Sequence, residues 1–393
     1  MNILKFLVRR PLLGIAITLS LVLSGCAGTR LGTGWAGLLV VGDSRNILMA
    51  DNDRVVLVNP TNGLQVELKE EDGSVMVDNE GKTVKWQLTG EQNAPGHFFA
   101  TPVLFDENTI IAASFEGKLL RVDVQDASVK SSSTLMTGQL ISGGGCTGNC
   151  ILTDLLLQDD TLYVAGLNKD VFAVEPSDLT VRWTFPTEHG VWSKPAAGDG
   201  VVYFASMDHF LYAVDADSGE QLWKLDLGGA IAGSPVLSGE TLYVGNLARK
   251  VFAVSTDGVI TNEYETEDWV WGTVNVVDGV LYAADLSGNV YALDTENGLE
   301  LVWKQKAAPM GIRPTPLVIG NDVIVASRNG SVYWLDISTG AVRFPKEIGA
   351  EILSDMLYIE LNRPIIVVST VANDRLLVGL YADGSGEAFR YGR

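Results

Sequence analysis

The sequence predicts an all-β fold, an eight-bladed β-propeller of four-stranded antiparallel blades. Three observations predict it. A unit of about 40 residues recurs along the chain. Each unit holds three or four apolar runs of four to six residues, rich in Val, Tyr, Phe and Leu and separated by Gly, Asp and Asn. No long stretch shows helical periodicity.

The clearest unit reads Gly233-Ser234-Pro235-Val236-Leu237, Thr241-Leu242-Tyr243-Val244 and Lys250-Val251-Phe252-Ala253-Val254. The preceding unit answers with Val201 to Phe204 and Leu211 to Asp215, and the following one with Val280 to Ala283 and Val290 to Asp294. A further copy carries Asp322 to Val325 and Val332 to Asp336. Aligned on the residue after the third strand, the units fall at Asn59, Asp123, Glu175, Asp215, Ser255, Asp294 and Asp336, with a degenerate eighth near Leu376 to Gly384. The central spacings are 40, 40, 39 and 42 residues, while the early ones, 64 and 52, contain insertions around Lys69 to Thr83 and around a Gly-rich Cys loop. A β-solenoid advances in shorter coils, whereas four strands in 40 residues make one propeller blade. A closed ring leaves few exposed strand edges.

A turn-and-anchor signature accompanies the repeat. Asp215-Ala216-Asp217-Ser218-Gly219 leads to Leu222-Trp223, and Asp294-Thr295-Glu296-Asn297-Gly298 leads to Val302-Trp303. Asp caps local amides and Gly accepts positive φ, so both mark turns. Trp86 and Trp183 are expected to end corresponding strands, and each Trp to pack between adjacent blades, where large rigid apolar surfaces are needed.

Of the residues, 47% are hydrophobic, enough for a sizeable core, and the 42 glycines suit many tight turns. The net charge of −20 repels nucleic-acid phosphate and anionic headgroups, so neither is expected as a direct ligand. Acidic turns of this kind keep a large β protein soluble and monomeric.

The first residues read as an address. Lys5, Arg9 and Arg10 precede a short apolar run, Leu12 to Leu23, too short for a membrane span of about 20 residues. Leu23-Ser24-Gly25-Cys26 resembles a bacterial lipobox. The resemblance implies a lipoprotein signal peptide over 1–25, a lipidated (diacylglyceryl, palmitate-type) Cys26 beginning a tether over 26–34, and the propeller over 35–393. Removing the leader takes the chain to −23. Membrane contact is then through the N-terminal lipid only, and the body lies outside the cytoplasm. Ala27 stands where an Asp would signal inner-membrane retention. The expected place is the periplasmic face of the outer membrane in a diderm, or the outer face of the cytoplasmic membrane in a monoderm.

Cys146 and Cys150 flank Thr147-Gly148-Asn149, and a loop of this kind suits a local disulfide in an oxidising compartment. A metal site needs more ligands, and no His is near.

The motif Leu-Tyr-Ala-Val-Asp-x-x-x-Gly-x-x-x-Trp, Leu211 to Trp223, resembles the repeat of the pyrroloquinoline-quinone-type (PQQ-like) propellers. That resemblance covers the whole mature chain. Two branches are relevant, the quinoprotein dehydrogenases and the BamB-like lipoproteins of the outer-membrane barrel-assembly machinery. The dehydrogenase branch implies a longer chain, adjacent cysteines over the quinone and a catalytic Asp beside Ca²⁺. Here Cys146 and Cys150 are not adjacent, no Cys-x-x-Cys-His is present, and Asp51-Asn52-Asp53 falls at a hairpin turn. The BamB-like branch implies a non-catalytic, lipid-anchored scaffold that binds protein partners at the cell envelope, including a β-barrel assembly subunit. No catalytic, cofactor-binding or metal residue is therefore assigned. A polysaccharide- or ligand-binding module and a PQQ-dependent dehydrogenase are the alternatives.

Propeller function usually sits at the funnel mouth, on loops entering the innermost strands. That column reads Trp35, Phe99, Leu152, Trp192, Ala232, Trp271, Arg313 and Leu353. The candidate binding face is Trp35, Phe99, Trp192, Trp271 and Arg313, with His97, His189 and Trp269 close in sequence. Aromatic and Arg side chains favour recognition. The same side chains can instead simply plug the central channel.

Overall fold

The structure, a computed structural model, describes residues 37–392 apart from 71, 90–95, 142–144, 149 and 168. Cys26 and Trp35 lie outside the described residues. Eight four-stranded antiparallel sheets occupy residues 38–89, 103–134, 156–186, 196–226, 236–265, 275–306, 317–347 and 357–391, numbered here as blades 1 to 8. No α-helix occurs among the described residues, only a short 3-10 turn at Asn373–Arg375. The unit near Leu376 is not degenerate in form. Blade 8 has all four strands, and what differs is its sequence, with Gly379 and Phe389 where blades 3, 4 and 6 carry Ala and Trp.

Blade 4 shows how the repeat becomes structure. Its strands run Ala196–Gly198, Val201–Ala205, Phe210–Asp215 and Gln221–Asp226, each paired only with its chain neighbour. The second and third strands are buried on both faces, so they read as unbroken apolar runs, whereas the outermost strand alternates. The first strands of neighbouring blades approach one another around the axis. Between the third and fourth strands the register slips at Ala213/Val214, and the same bulge recurs in blades 2 to 8.

The bulge positions the tryptophans. Trp183, Trp223 and Trp303 lie within their strands, immediately after the bulge and opposite Ala173, Ala213 and Ala292, rather than at strand ends. A small cross-strand partner leaves room for each indole to lean onto the next blade. There Nε1 donates to the carbonyl of Ala216, Thr256 or Ile337, each at 2.8 Å. The ring covers the turn glycine of that blade, so a Cβ on Gly219 would come within 2.7 Å of Trp183, and one on Gly258 within 2.7 Å of Trp223. Gly219 also sits at φ 75°, which a side chain disfavours.

The core among the described residues is eight separate apolar clusters, one per junction between neighbouring blades, with a small ninth at Phe99, Phe115 and Cys150. One of them closes the ring, with Ile47, Met49, Val56 and Val58 of blade 1 against Ile365, Val367, Leu377 and Phe389 of blade 8. Since each blade is four consecutive strands, the ring is closed by side-chain packing and not by a shared strand.

Both insertions add β-structure. Strands Gly138–Ile141 and Gly145–Gly148 form a hairpin between blades 2 and 3. In blade 1, residues 64–85 fold into a knob of three short arms joined by the bridges Glu67–Lys85, Lys69–Val75 and Val77–Thr83. Its centre is a cycle of backbone hydrogen bonds, each 2.9 Å. Met76 N–H donates to Leu68, Val84 N–H to Met76, and Leu68 N–H to Val84.

Candidate functional site

The eight junctions leave a central cavity of about 440 Å³. Phe99, Leu152, Trp192, Ala232, Trp271, Arg313 and Leu353 all line it, so the loop entries of seven blades converge on one place. The eighth member of that column, Trp35, lies outside the described residues.

The column divides into two patches. Ala232 of blade 5 is small, and across the space it leaves, Trp192 of blade 4 reaches Trp271 of blade 6, with ring centroids 6.3 Å apart and planes at 59°. The Arg313 guanidinium lies 4.4 Å over the Trp271 ring, a cation–π contact. Trp271 is only 7% exposed, while Trp192 and Arg313 are half-buried. Phe99 turns elsewhere, meeting Phe115 edge-on at 5.3 Å in a small cluster with buried Cys150. His97 stacks on Phe99 at 6.3 Å, and its Nδ1 lies 2.6 Å from Glu116. His189 and Trp269 do not line the cavity. Cys150 is disulfide-bonded.

Two residues further along each loop stand Gly37, Thr101, Asp154, Lys194, Ser234, Thr273, Thr315 and Asp355, and all of these except Thr315 line the cavity. At three junctions their side chains latch neighbouring blades. The amide of Thr101 donates to Asp154 Oδ1 at 2.8 Å, that of Ser234 to Thr273 Oγ1 at 3.0 Å, and that of Thr315 to Asp355 Oδ1 at 2.6 Å. Asp355 is exposed to the open channel, yet the protein crowded around it pushes its carboxyl above its ordinary range, against the Thr315 amide and hydroxyl that hold it down. Asp154 raises it further and Lys194 opposes that. The first set is thus largely apolar with one guanidinium, and the set two residues on is polar, carrying two carboxylates and one ammonium. Sequence reasoning missed this second set, although its signal was the same column read two residues on.

Among the described residues, no group of three or more His, Cys, Asp or Glu is placed to hold a metal ion. Asp51-Asn52-Asp53 forms a turn, with Asn52 at φ 53° and Asp51 buried beside Arg54.

Comparison with known proteins follows the same outline. The family model described as outer membrane protein assembly factor BamB matches residues 152–346 and 267–379. The outer membrane protein assembly factor BamB of Yersinia pestis is 22% identical over 257 residues, 64% of this chain and 63% of that protein. The tetrathionate hydrolase of Acidithiobacillus ferrooxidans is 28% identical over 156 residues, 39% of this chain and 28% of the enzyme. In both cases the match spans less than two thirds of the relative. The crystal structure of BamB from Moraxella catarrhalis superposes with a TM-score of 0.64 at 15% identity, covering 85% of this chain and 93% of that one, which shows the shared fold. The matched segments, which begin in the loop entering blade 3 and run into blade 8, take in more than half of the chain, which therefore belongs to the BamB family of PQQ-like β-propellers.

Proposed function

We propose that the chain is a non-catalytic, lipid-anchored propeller that acts outside the cytoplasm as a protein-binding scaffold in the assembly of outer-membrane β-barrel proteins. The family match across blades 3 to 8 is the observation that carries the reading. In this reading Cys26 holds the lipid, residues 26–34 are the tether, and the propeller stands as a monomer off the membrane surface. With Cys26 acylated, Cys146 is the partner of Cys150, and the bond staples the hairpin between blades 2 and 3 to the Phe99 patch. The loops around the mouth supply the docking surface for a barrel-assembly subunit.

The test is crosslinking in intact cells of the native host, followed by affinity purification of the full-length chain. Recovery of a barrel-assembly subunit, together with loss of outer-membrane barrel proteins on deletion of the gene, supports the reading. An unchanged outer-membrane profile with no such subunit recovered sinks it.

The half-buried Trp192 face beside Arg313 supports a second reading, a mouth that binds glycan or another ligand. Trp192→Ala separates the two roles. Loss of binding on a glycan array at unchanged melting temperature favours a ligand face. A lowered melting temperature with no ligand found favours a plug.

A further inference from the structure

The knob of blade 1 has no counterpart in the other blades and lies outside the segment that matches the family. Its outward-facing residues do not all serve its fold. Along the arms the inward side chains Leu68, Met76 and Val84 are half-buried, and their neighbours on either side face solvent. Strand geometry at an outward position needs only β propensity, which Thr83 supplies on one arm with a polar side chain. The facing arm instead shows Val75 and Val77, 40% and 58% exposed, and Leu64 at the foot of the knob is 65% exposed.

Acidic groups outnumber basic ones around these aliphatics, although Lys69 faces Val75 across its bridge. Residues 64–85 hold six carboxylates and three lysines. Glu70, Asp72 and Asp78 are exposed at the arm ends, where Asp72 and Asp78 also cap their own turns through the amides of Ser74 and Glu80. Lys82 is taken up by Glu80 at 2.6 Å. A second copy of this acidic chain, nucleic acid and anionic lipid are all repelled by such a surface. The arms pair with one another in a closed cycle, so none is left as an edge to which a foreign strand could add. Recognition then goes through side chains.

We propose that the knob is a docking site for a partner protein whose aliphatic patch is rimmed by lysine and arginine. Val75 and Val77 meet the patch, and Glu70, Asp72 and Asp78 meet the rim.

A photo-crosslinking side chain placed at 75, at 77 and, as a control, at Val181 (45% exposed on the outer strand of blade 3) tests this in the full-length chain in its native host. The expected result is a discrete adduct from 75 and 77 but not from 181. The partner's crosslinked peptide, read by mass spectrometry, carries Lys or Arg beside aliphatic residues. Glu70→Lys with Asp72→Asn, which keeps an acceptor for the Ser74 amide, lowers the yield about tenfold at an unchanged melting temperature. Equal adducts at all three positions, no adduct at 75 and 77, a peptide of this same chain, an acidic peptide, or a yield indifferent to the charge change would each overturn it. The outcome is independent of barrel assembly, because a partner lost from the mouth leaves the knob adduct in place.

Discussion

The junction between blades 3 and 4 and the junction between blades 2 and 3 solve one packing problem in opposite ways. In the first, the outer strand supplies the bulk, Trp183, and the facing turn supplies the gap, Gly219. In the second, Ser131 stands at the tryptophan's place in the strand, and Leu179 stands at the glycine's place in the turn, fully buried at φ 63°. The volume is conserved while its donor changes sides. At the ring-closing junction Phe389 takes the indole's part against Gly63, where a Cβ would come within 2.9 Å of the ring. Between blades 5 and 6 the strand carries Asn262, and buried Leu299 fills from the turn. What each junction requires is complementary volume, and the hydrogen bond from Nε1 is an addition that some junctions lack.

Four outcomes sharpen that comparison, from the largest effect down. Trp303→Ala removes the bulk from a strand-filled junction and should cost about 3–5 kcal/mol in denaturant unfolding, with the other junctions unable to collapse into the gap. Leu179→Gly and Ser131→Trp should each destabilise, one by a cavity and the other by overpacking. The double variant, which rebuilds the Trp-on-Gly arrangement, should recover a coupling of about 0.5–3 kcal/mol in a double-mutant cycle. Simple additivity would mean that the two positions do not share the volume. Asp355→Asn keeps an acceptor for the Thr315 amide and removes a carboxylate that is held above its ordinary range, so it should change stability by less than about 1 kcal/mol near neutral pH. A larger loss would show that the charge itself holds blades 7 and 8 together.

The smallest effect is acid sensitivity at the turns. The hydroxyl of Ser177 and then Arg182 hold Glu175 down at about 2, and Arg343 and then Thr339 hold Asp336 at about 2. Both values lie below those of an unfolded carboxylate, about 4. Their contribution is therefore complete above about pH 4.5 and fades as the pH falls toward 2. Glu175→Gln with Asp336→Asn should flatten that part of a circular-dichroism acid titration and lower neutral stability only slightly, since both carboxylates are half-buried at the surface and screened by solvent.

Local features were the legible ones. The period, the strand runs and the Asp and Gly of the turns are dictated by neighbours in sequence, so blades 3 to 7 could be read directly. The column of loop entries also converges on one cavity, because equivalent residues in a ring must face a common axis. The bulge before each Trp was not legible, since it is a property of pairing rather than of composition. The exchange of Trp183 and Gly219 for Ser131 and Leu179 was hidden for a related reason, because complementarity runs between blades some 40 residues apart. The knob could be seen only as extra length. Its three-way cycle arises from bridges among arms that look like ordinary turn-rich sequence.

Because no strand crosses from one blade to another, the protein has no privileged starting point around its circumference. The connection from blade 3 to blade 4 needs only residues 187–195, and a linker of comparable reach joining residue 392 to residue 37 would serve equally well. A gene cut open between any two blades should still encode the same wheel, and the point on the rim where the chain begins could then be chosen independently of the architecture.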